Sequence, residues 1–439
     1  MATVLGSQAD AAAKVTLTNL MHDIFVGRVV NNVKRESPVA MMFQDAGAGE
    51  YRLEGTAMKF AVDLRFKTGA MATDGKLPNA TNMDSQEGSI TPIRRYARLA
   101  IDNMFEKQAS GPGAYDDLSD RVFDQLWDSW KSMEIRHSIG PASGLLGVIE
   151  STDTPLHFVM KDAFGNIGTN PIAHISEGSI LALSNASNSY AILSTGTVES
   201  INYSTREVVM SSTWDAGEDP AVGDYIYFAT SPVLLDGHFT TEKNLAPNGL
   251  GTIIDPGGAA AAVHGISTDD YPRWKPFRKA SATFDHLELT EHWLQLGAKR
   301  GFAVSPQSDV VVAFPSAVAQ IARSLMGFQQ QADLGGELKG GYKSLTVSGI
   351  PIVQDHFMYH NCAFTLNKDS LFRVNLGDEA SFFNGDGSQF ARIADYDGKE
   401  AFAGEYMNTF CNARGSNGAI TGIVTPDITD EDYSSVPSY

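Results

Sequence analysis

YRLEGTAMKFAVDLRFK (residues 51–67) and IRRYARLAI (residues 93–101) decide how the first quarter of this chain is read. In the first segment Met58, Phe60, Val62, Leu64 and Phe66 alternate with Lys59, Ala61, Asp63, Arg65 and Lys67, the period of a strand with one buried face. In the second, Ala97, Leu99 and Ile101 fall on one side and Arg94, Tyr96 and Arg98 on the other. Residues 68–88, rich in Gly, Asn, Asp and Thr, form a tip without an apolar core of its own. The spacing predicts one long hairpin whose strands are 58–67 and 94–101. A lone hairpin is marginal in water, so an apolar stripe of this length needs a covering surface. None is close in sequence, and the expected cover is a second copy of the chain.

Working outward, the next segment reads as a long amphipathic helix. Leu118, Val122, Leu126, Trp130, Met133 and His137 recur at spacings of three and four, Asp116 and Asp117 sit in the first turn, and Gly140-Pro141 stops it. Residues 115–138 would span about 36 Å at 1.5 Å per residue. An ordinary core helix has the same pattern. The order of segments, a short arm, a basic hairpin, a long helix and then a β-rich remainder, sets this one apart.

At 439 residues and 43% hydrophobic composition the chain exceeds one core and is expected to fold as several subdomains. No apolar run approaches the ~18 residues that span a bilayer. The start, MATVLGSQADAAAK, has no hydrophobic signal region, so the expectation is a protein made and kept in a cytoplasm, with no membrane partner. Cys362 and Cys411 are too few for a disulfide framework or a zinc site and read as buried thiols.

The net charge of −19 is unevenly spread. Up to residue 110 there are 13 Lys plus Arg against 12 Asp plus Glu, whereas the rest holds 20 against 40. An acidic body argues against tight nucleic-acid binding, which depends on neutralising phosphates with cations. It favours solubility and offers a neutral or locally basic arm something to dock on.

Along the chain, residues 1–50 read as a weakly helical arm with one short apolar face of Leu17, Leu20, Met21, Ile24 and Phe25, broken by Pro38 and the small residues 45–49. Residues 152–282 carry short strand signals at 180–183, 190–193, 196–203, 207–211 and 225–228, with turns at 202–206 and Gly223-Asp224, and suggest a small barrel or sandwich. From residue 283 the texture becomes α/β. A helix near 290–300, a buried strand VVVAF at 310–314, a helix at 316–326 and strands LTVSGIPIV and CAFTL follow in turn. Residues 427–439 carry four acids and no base, the composition of a tail.

Catalytic constellations fail for specific reasons. Gly336–Gly341 has the spacing of a phosphate loop, but Tyr342 displaces Lys343 and Ser344 by one place. Glu288 and His292, with His286 and Glu291 nearby, could offer two metal ligands on a helix face, yet no HExxH pattern or third ligand accompanies them. His356 and His360 share that spacing in a turn-rich stretch. Asp395 and Asp397-Gly398 begin like a calcium loop, but Lys399 stands where a third oxygen ligand belongs. No serine elbow occurs, and the ten His residues are scattered. Neither a cofactor nor an enzymatic activity is expected.

Several strings resemble the major capsid protein of tailed double-stranded-DNA bacteriophages, the Hong Kong-97-like shell protein. SDVVVAFPSAVAQI (308–321) is similar to that family's strand, Pro and helix in the axial domain. SGIPIVQDHFM (348–358) resembles its Gly-x-Pro hairpin, TLNKDSL (365–371) the strand that follows, EYMNTFCNARGSNGAITGI (405–423) the closing segment, and GLLGVI (144–149) the link after the spine helix. Each string alone is degenerate; their order over about three quarters of the chain is specific.

The resemblance implies an α+β Hong Kong-97-like capsid fold: an N-terminal arm (1–50), an extended loop (51–110), a peripheral domain with the spine helix (111–151), an inserted β-rich domain (152–282), an axial domain (283–379), a return to the peripheral domain (380–426) and an acidic tail (427–439). GTVESINYSTREVVMSS and AVGDYIYF resemble the small barrel that some such proteins insert, and GTIIDPGG (251–258) with HGISTDDYPRW (264–274) resembles its return segment. The chain would then assemble with itself into hexamers and pentamers of a virion head enclosing double-stranded DNA, in the host cytoplasm, helped by separate scaffolding, portal and decoration proteins. The alternatives are the shell of a cellular nanocompartment of the same fold and, less well supported, a metal-dependent enzyme. Contacts between subunits are expected at Lys59, Phe60, Leu64, Arg65, Phe66, Lys67, Lys76, Arg94 and Arg95, with burial of Phe60, Leu64 and Phe66 dominating over exposed charge pairs. Some family members crosslink a loop Lys to a neighbouring Asn. Lys67 and Lys76 lie in that loop, but no Asn or Glu matches by motif.

Overall fold

The computed structural model describes residues 37–47, 51–64, 85–102, 115–166, 168, 170–185, 192–211, 214, 219–229, 241–258, 260–300, 309–329, 345–376, 381–382, 391–392 and 397–424. The sequence-predicted arm up to residue 36, most of the hairpin tip, the Gly336–Gly341 loop and the acidic tail lie outside them.

The chain divides into two compact units. One comprises Met1–Glu36, Pro92–Glu134 and Asn375–Met407, the other Ser37–Thr91, Ile135–Val374 and Asn408–Tyr439. In chain order the first strands are β1 (Gln44–Asp45), β2 (Arg52–Glu54), β3 (Ala57–Asp63), β4 (Ser85–Ile90) and β5 (Ile93–Asp102), followed by helix α1 (Tyr115–Ile139). Next come β6 (Leu145–Thr154), β7 (His157–Asp162), the single turn α2 (Asn170–Ala173), β8 (Ile180–Ser184), β9 (Ile192–Asn202), β10 (Glu207–Met210) and β11 (Tyr225–Phe228). Helix α3 (Leu250–Ile254), β12 (Ala262–Val263), β13 (Ile266–Ser267), β14 (Phe277–Ala280), α4 (His286–Arg300), β15 (Val310–Ala313) and α5 (Pro315–Gln329) follow. The chain closes with β16 (Leu345–Val347), β17 (Ile350–Gln354), β18 (Cys362–Leu366), β19 (Leu371–Asn375), β20 (Ser381–Phe382), β21 (Ala391–Arg392), β22 (Gly398–Cys411) and β23 (Gly418–Thr421). Among the described residues no helix is long and apolar enough to cross a membrane.

In the first unit β5 and β22 form an antiparallel ladder ten residues long, from Ile93 opposite Met407 to Asp102 opposite Gly398. β20 and β21 pair with the other edge of β22. This corrects the predicted hairpin. β3 pairs with β4, Met58 opposite Ile90 and Asp63 opposite Ser85, so the return strand is at 85–90, partly inside the stretch read as tip. The segment read as the return, 94–101, pairs instead with a strand three hundred residues away. Period-two alternation fixes which face of a strand is apolar and carries no information about its partner.

The second unit holds a six-stranded sheet in the order β14-β23-β18-β15-β17-β16. All four residues of β15 are buried because both faces of the sheet are covered, which is why VVVA reads as a continuous apolar run. One face, with Val310, Val312, Phe364 and Leu366, packs on Ile135 and Ile139 of α1 and on Leu250, Ile253 and Ile254 of α3. The other, with Val311, Ala313, Ala363 and Ile352, packs on Leu289 and Trp293 of α4 and on Ala317, Val318 and Ile321 of α5. α4 starts at His286, earlier than the predicted 290, because the Asp285 carboxylate accepts the Glu288 N–H at 2.8 Å and caps the first turn.

Strands β10-β7-β6-β11-β8-β9 close into a barrel around Leu146, Ile149, Phe158, Met160, Leu181, Leu183, Val198, Val208, Met210, Trp214 and Ile226. The signals at 190–193 and 196–203 belong to one strand, β9, which pairs with both β8 and β10. Its turn into β10 is held by the Asn202 side chain, which accepts the Ser204 N–H at 3.0 Å, and by Arg206 in the left-handed region at φ 60°. The barrel begins at Leu145, inside the stretch read as a link, because β6 supplies partners to both β7 and β11. It ends at Phe228. Beyond it, α3 and β14 join the sheet core rather than the barrel, so the segment predicted as one β-rich insertion to residue 282 serves two cores.

Candidate functional site

The hairpin sheet β2-β3-β4 was the expected contact surface, and its apolar face is already covered within the chain. Met58, Phe60, Val62 and Leu64 are buried, Phe60 to 4% exposure. The Phe60 ring stacks on Phe410 with centroids 4.6 Å apart and meets His264 edge-on at 5.7 Å. Gly88, directly opposite in register, leaves the space that this ring fills; a Cβ there would run into it. Phe60 and Leu64 are therefore buried within this chain, which corrects the expectation that a neighbouring subunit covers them. Lys59, on the other face, is held by Glu54 at 2.9 Å and Glu87 at 2.6 Å, both from the same small sheet. Arg65, Phe66, Lys67 and Lys76 lie outside the described residues.

Arg94 and Arg95 sit on opposite faces of the β5–β22 ladder. Arg95 is buried, donates to Glu405 at 2.7 Å and lies 5.2 Å from the centre of the Trp130 ring on α1. Both charges of that pair are almost fully out of water. Arg94 is exposed and lies 5.9 Å from the centre of the Tyr406 ring, its cross-strand partner. Tyr96, two residues on, meets the same tyrosine: the hydroxyls are 3.3 Å apart and the rings are T-shaped at 6.4 Å. Of the predicted spine residues, Trp130 is buried and also touches Trp127 edge-on at 6.4 Å, Met133 is half-buried, and the side chains of Leu118, Val122 and Leu126 lie outside those described.

A second polar cluster lies at the C-terminal end of α1. Arg136 pairs with Glu242 and stacks 4.0 Å from the Phe228 ring at the end of the barrel. His137 Nε2 is 3.5 Å from the same carboxylate. Burial alone would raise the Glu242 carboxyl, but Arg136 and His137 outweigh it and hold the group down at about 2. A cavity of about 20 Å³ lined by these residues with His174 and Tyr359 is large enough for one water. Sequence reading missed Glu242 because an acid in a turn-rich stretch gives no sign of burial.

The predicted ligand pairs are engaged elsewhere. His292 is buried with Nε2 3.1 Å from Thr365 Oγ1, and burial, reinforced by Lys279, lowers it to about 3. Glu288 and Glu291 share Lys279 at 2.6 and 2.8 Å. His286 Nδ1 is 3.4 Å from Ser324 Oγ, His360 packs against Phe314 at 3.7 Å, and His356 is exposed. Burial raises the Cys362 thiol well above its ordinary range, with Asp162 adding, and pushes Cys411 up to about 11. Among the described residues no three His, Cys, Asp or Glu side chains come together as a metal site requires.

No family model and no curated protein matches this sequence. Solved structures do. The chain is similar to a subunit of the cyanophage A-1(L) capsid at 13% identity, over 91% of this chain and 95% of that one, with a TM-score of 0.52. The capsid of cyanophage P-SCSP1u aligns at 10% identity over 92% of each chain with a TM-score of 0.44, and the SrpI encapsulin of Synechococcus elongatus at 9% identity over 94% and 96% with 0.40. Of these three, the first alone bears on architecture. The chain has the mixed α+β, strand-rich fold of a phage capsid protein, and the resemblance read from its sequence holds at the level of fold.

Proposed function

We propose that this protein is the major shell protein of a tailed-phage head, self-assembling into hexamers and pentamers around packaged double-stranded DNA. The observation that carries the reading is the likeness of almost the whole chain, at a TM-score of 0.52, to a subunit of a cyanophage capsid. A fold can host unrelated functions. Here the parts suit a shell, since a small three-stranded sheet, a 25-residue helix and a closed barrel offer several surfaces to neighbouring copies.

The inward-facing residues change the energetics. Since Phe60, Leu64 and Arg95 are buried within the chain, cohesion between subunits rests on other surfaces, including the segment after Leu64 with Arg65, Phe66, Lys67 and Lys76. On this reading the barrel is the inserted domain, and it assists folding, contacts a neighbouring capsomer or presents a surface to a decoration protein. Scaffolding and portal proteins are separate partners, and the role is structural, with no cofactor and no catalytic step.

Negative-stain electron microscopy of the purified protein, with sedimentation velocity, tests this. Icosahedral shells or hexameric and pentameric rings are expected, and their diameter separates a DNA-sized head from a small compartment for protein cargo. A monomer or dimer under all conditions, with and without co-expressed scaffold, overturns the reading.

A further inference from the structure

The outer face of the β5–β22 ladder has the make-up of a protein-binding hot spot. Arg94 and Tyr406 face each other across the ladder, and Tyr96 reaches diagonally to Tyr406. Directly opposite Tyr96 stands Gly404, whose backbone is buried, while the tyrosine keeps half its surface (50%) open to water. Tyr and Arg, with Trp, are the residues most enriched where binding energy concentrates, because each combines a large contact area with polar hydrogen-bonding atoms. The inner face of the same strands is closed by Arg95, Glu405 and Trp130, which fixes β5 and β22 and leaves the outer cluster preformed.

Charge says what fits there. Lys59, Arg95, Arg136, Arg206 and Lys279 each have a carboxylate within the chain, whereas Arg94, like Arg52 and Lys131, has none within 4 Å among the described residues; Arg94 rests on an aromatic ring. Complementary make-up is densest in residues 427–439, the stretch with three consecutive acids. DITDEDYSSVPSY (427–439) carries Asp427, Asp430, Glu431 and Asp432 with no base, together with Tyr433 and Tyr439. We propose that the Arg94–Tyr96–Tyr406 face docks residues 427–439 of a second copy of this chain. Acids would meet the Arg94 guanidinium at the rim while a tyrosine packs against the exposed half of Tyr96. The second copy follows from the shell reading, on which this inference rests. A nucleic acid fits less well, since binding phosphate backbones takes several clustered cations and this chain carries a net charge of −19.

The test uses the full-length chain carrying Tyr96→p-benzoylphenylalanine, assembled from a mixture of copies labelled with light and heavy nitrogen, irradiated, digested and analysed by mass spectrometry. The expected product is a crosslink from position 96 to the peptide holding residues 427–439, with mixed-isotope pairs. Arg94→Glu lowers its yield about tenfold, the order of one lost close charge pair, and adding Asp430→Lys, Glu431→Lys and Asp432→Lys restores it. Hydroxyl-radical footprinting checks the unmodified residue: Tyr96 is protected in assembled full-length protein and becomes several-fold more reactive when the chain ends at Thr425. Crosslinks only to other segments, or only within one isotope, overturn the proposal, as does an unchanged Tyr96 footprint. Micrographs of the same sample keep the two readings apart. Intact shells without the crosslink overturn the docking alone, and the absence of shells or rings overturns the shell reading as well.

Discussion

Strands β3 and β5 alternate alike in sequence, yet one pairs with strands adjacent in sequence and the other with a strand three hundred residues away. β3 finds its strand partners and its ion pairs nearby: it pairs with β2 and β4, and Lys59 is held by Glu54 and Glu87 of the same three-stranded sheet, although Phe410 and His264 close over Phe60 from far along the chain. β5 pairs with β22 and buries a complete ion pair between Arg95 and Glu405. Cations on the two strands thus differ in what they cost. Lys59 is a solvated cation whose loss matters little, whereas Arg95 is a charge taken out of water that has to keep its partner.

The largest effect that tests this contrast is at Glu405. Glu405→Gln leaves the buried Arg95 guanidinium without a counter-charge, and breaking such a pair costs about 3–5 kcal/mol. Denaturant unfolding should show that loss, and Arg95→Met with Glu405→Leu should recover most of it, since an apolar pair removes both desolvation costs at once. Wild-type stability for Glu405→Gln would mean that water reaches the pair, and the contrast with Lys59 would collapse.

Next comes Phe60. Phe60→Ala empties the space between Phe410, His264 and Gly88, and should lower stability by about 3 kcal/mol, at the low end for a buried aromatic. The loss should appear in unassembled protein. If Phe60→Ala leaves the unassembled chain unchanged and weakens only shells, the cover of β3 is a neighbour after all.

Acid acts on the buried histidines of the second unit. Burial, with Arg414 adding for His264 and Lys279 for His292, lowers both to about 3 against an ordinary value of 6.5. The unfolded chain takes the proton first, so their contribution is complete above pH 6.5 and is lost as pH falls from 6.5 toward 3. Asp162 has the opposite sign: burial raises it to about 6 from 3.8, only partly offset by hydrogen bonds from Asn166, Phe164 and Gly165. Its ionisation therefore weakens the fold as pH rises from about 4 to 6. Melting temperatures from pH 7 to 4 should fall, with each histidine contributing roughly 2 kcal/mol by pH 5. His292→Gln should flatten that slope, and an unaltered slope would place the titration elsewhere.

These pairs also mark where sequence reading succeeds. Helix α1 was legible because its signals are local: acids in the first turn, apolar residues at spacings of three and four, and Gly140 as the stop, whose N–H donates to the Arg136 carbonyl at 2.8 Å. The barrel strands were legible because turns such as Asn202–Arg206 punctuate them. β22 was harder, since Glu405, Asn408 and Thr409 are polar in sequence and buried in the fold. Each is satisfied by residues far away, Asn408 by donating to the Thr91 carbonyl at 2.6 Å and by accepting the Asn248 N–H at 3.0 Å. Burial of a polar group depends on partners brought together by the fold, and no local pattern announces it. The candidate contact face was missed for the same reason. Tyr96 and Tyr406 were both visible, but their meeting was not.

The smallest expected effect sharpens the comparison from the other side. Lys59 bridges two carboxylates that are more than half exposed. The hydrogen bonds that Lys59 donates to Glu87 and Glu54 favour its charged form, but in open solvent such pairs contribute little and are screened by salt. Lys59→Met keeps most of the aliphatic stem and removes the charge. It should change stability only marginally at low ionic strength and by nothing measurable at ~1 M salt, where the Debye length is about 3 Å. The Arg95–Glu405 pair, shielded from ions, should keep its full effect in the same salt. A salt titration of the two variants side by side separates a solvated pair from a buried one, and a large, salt-resistant loss at Lys59 would mean that another surface covers β3 where the single chain leaves it open.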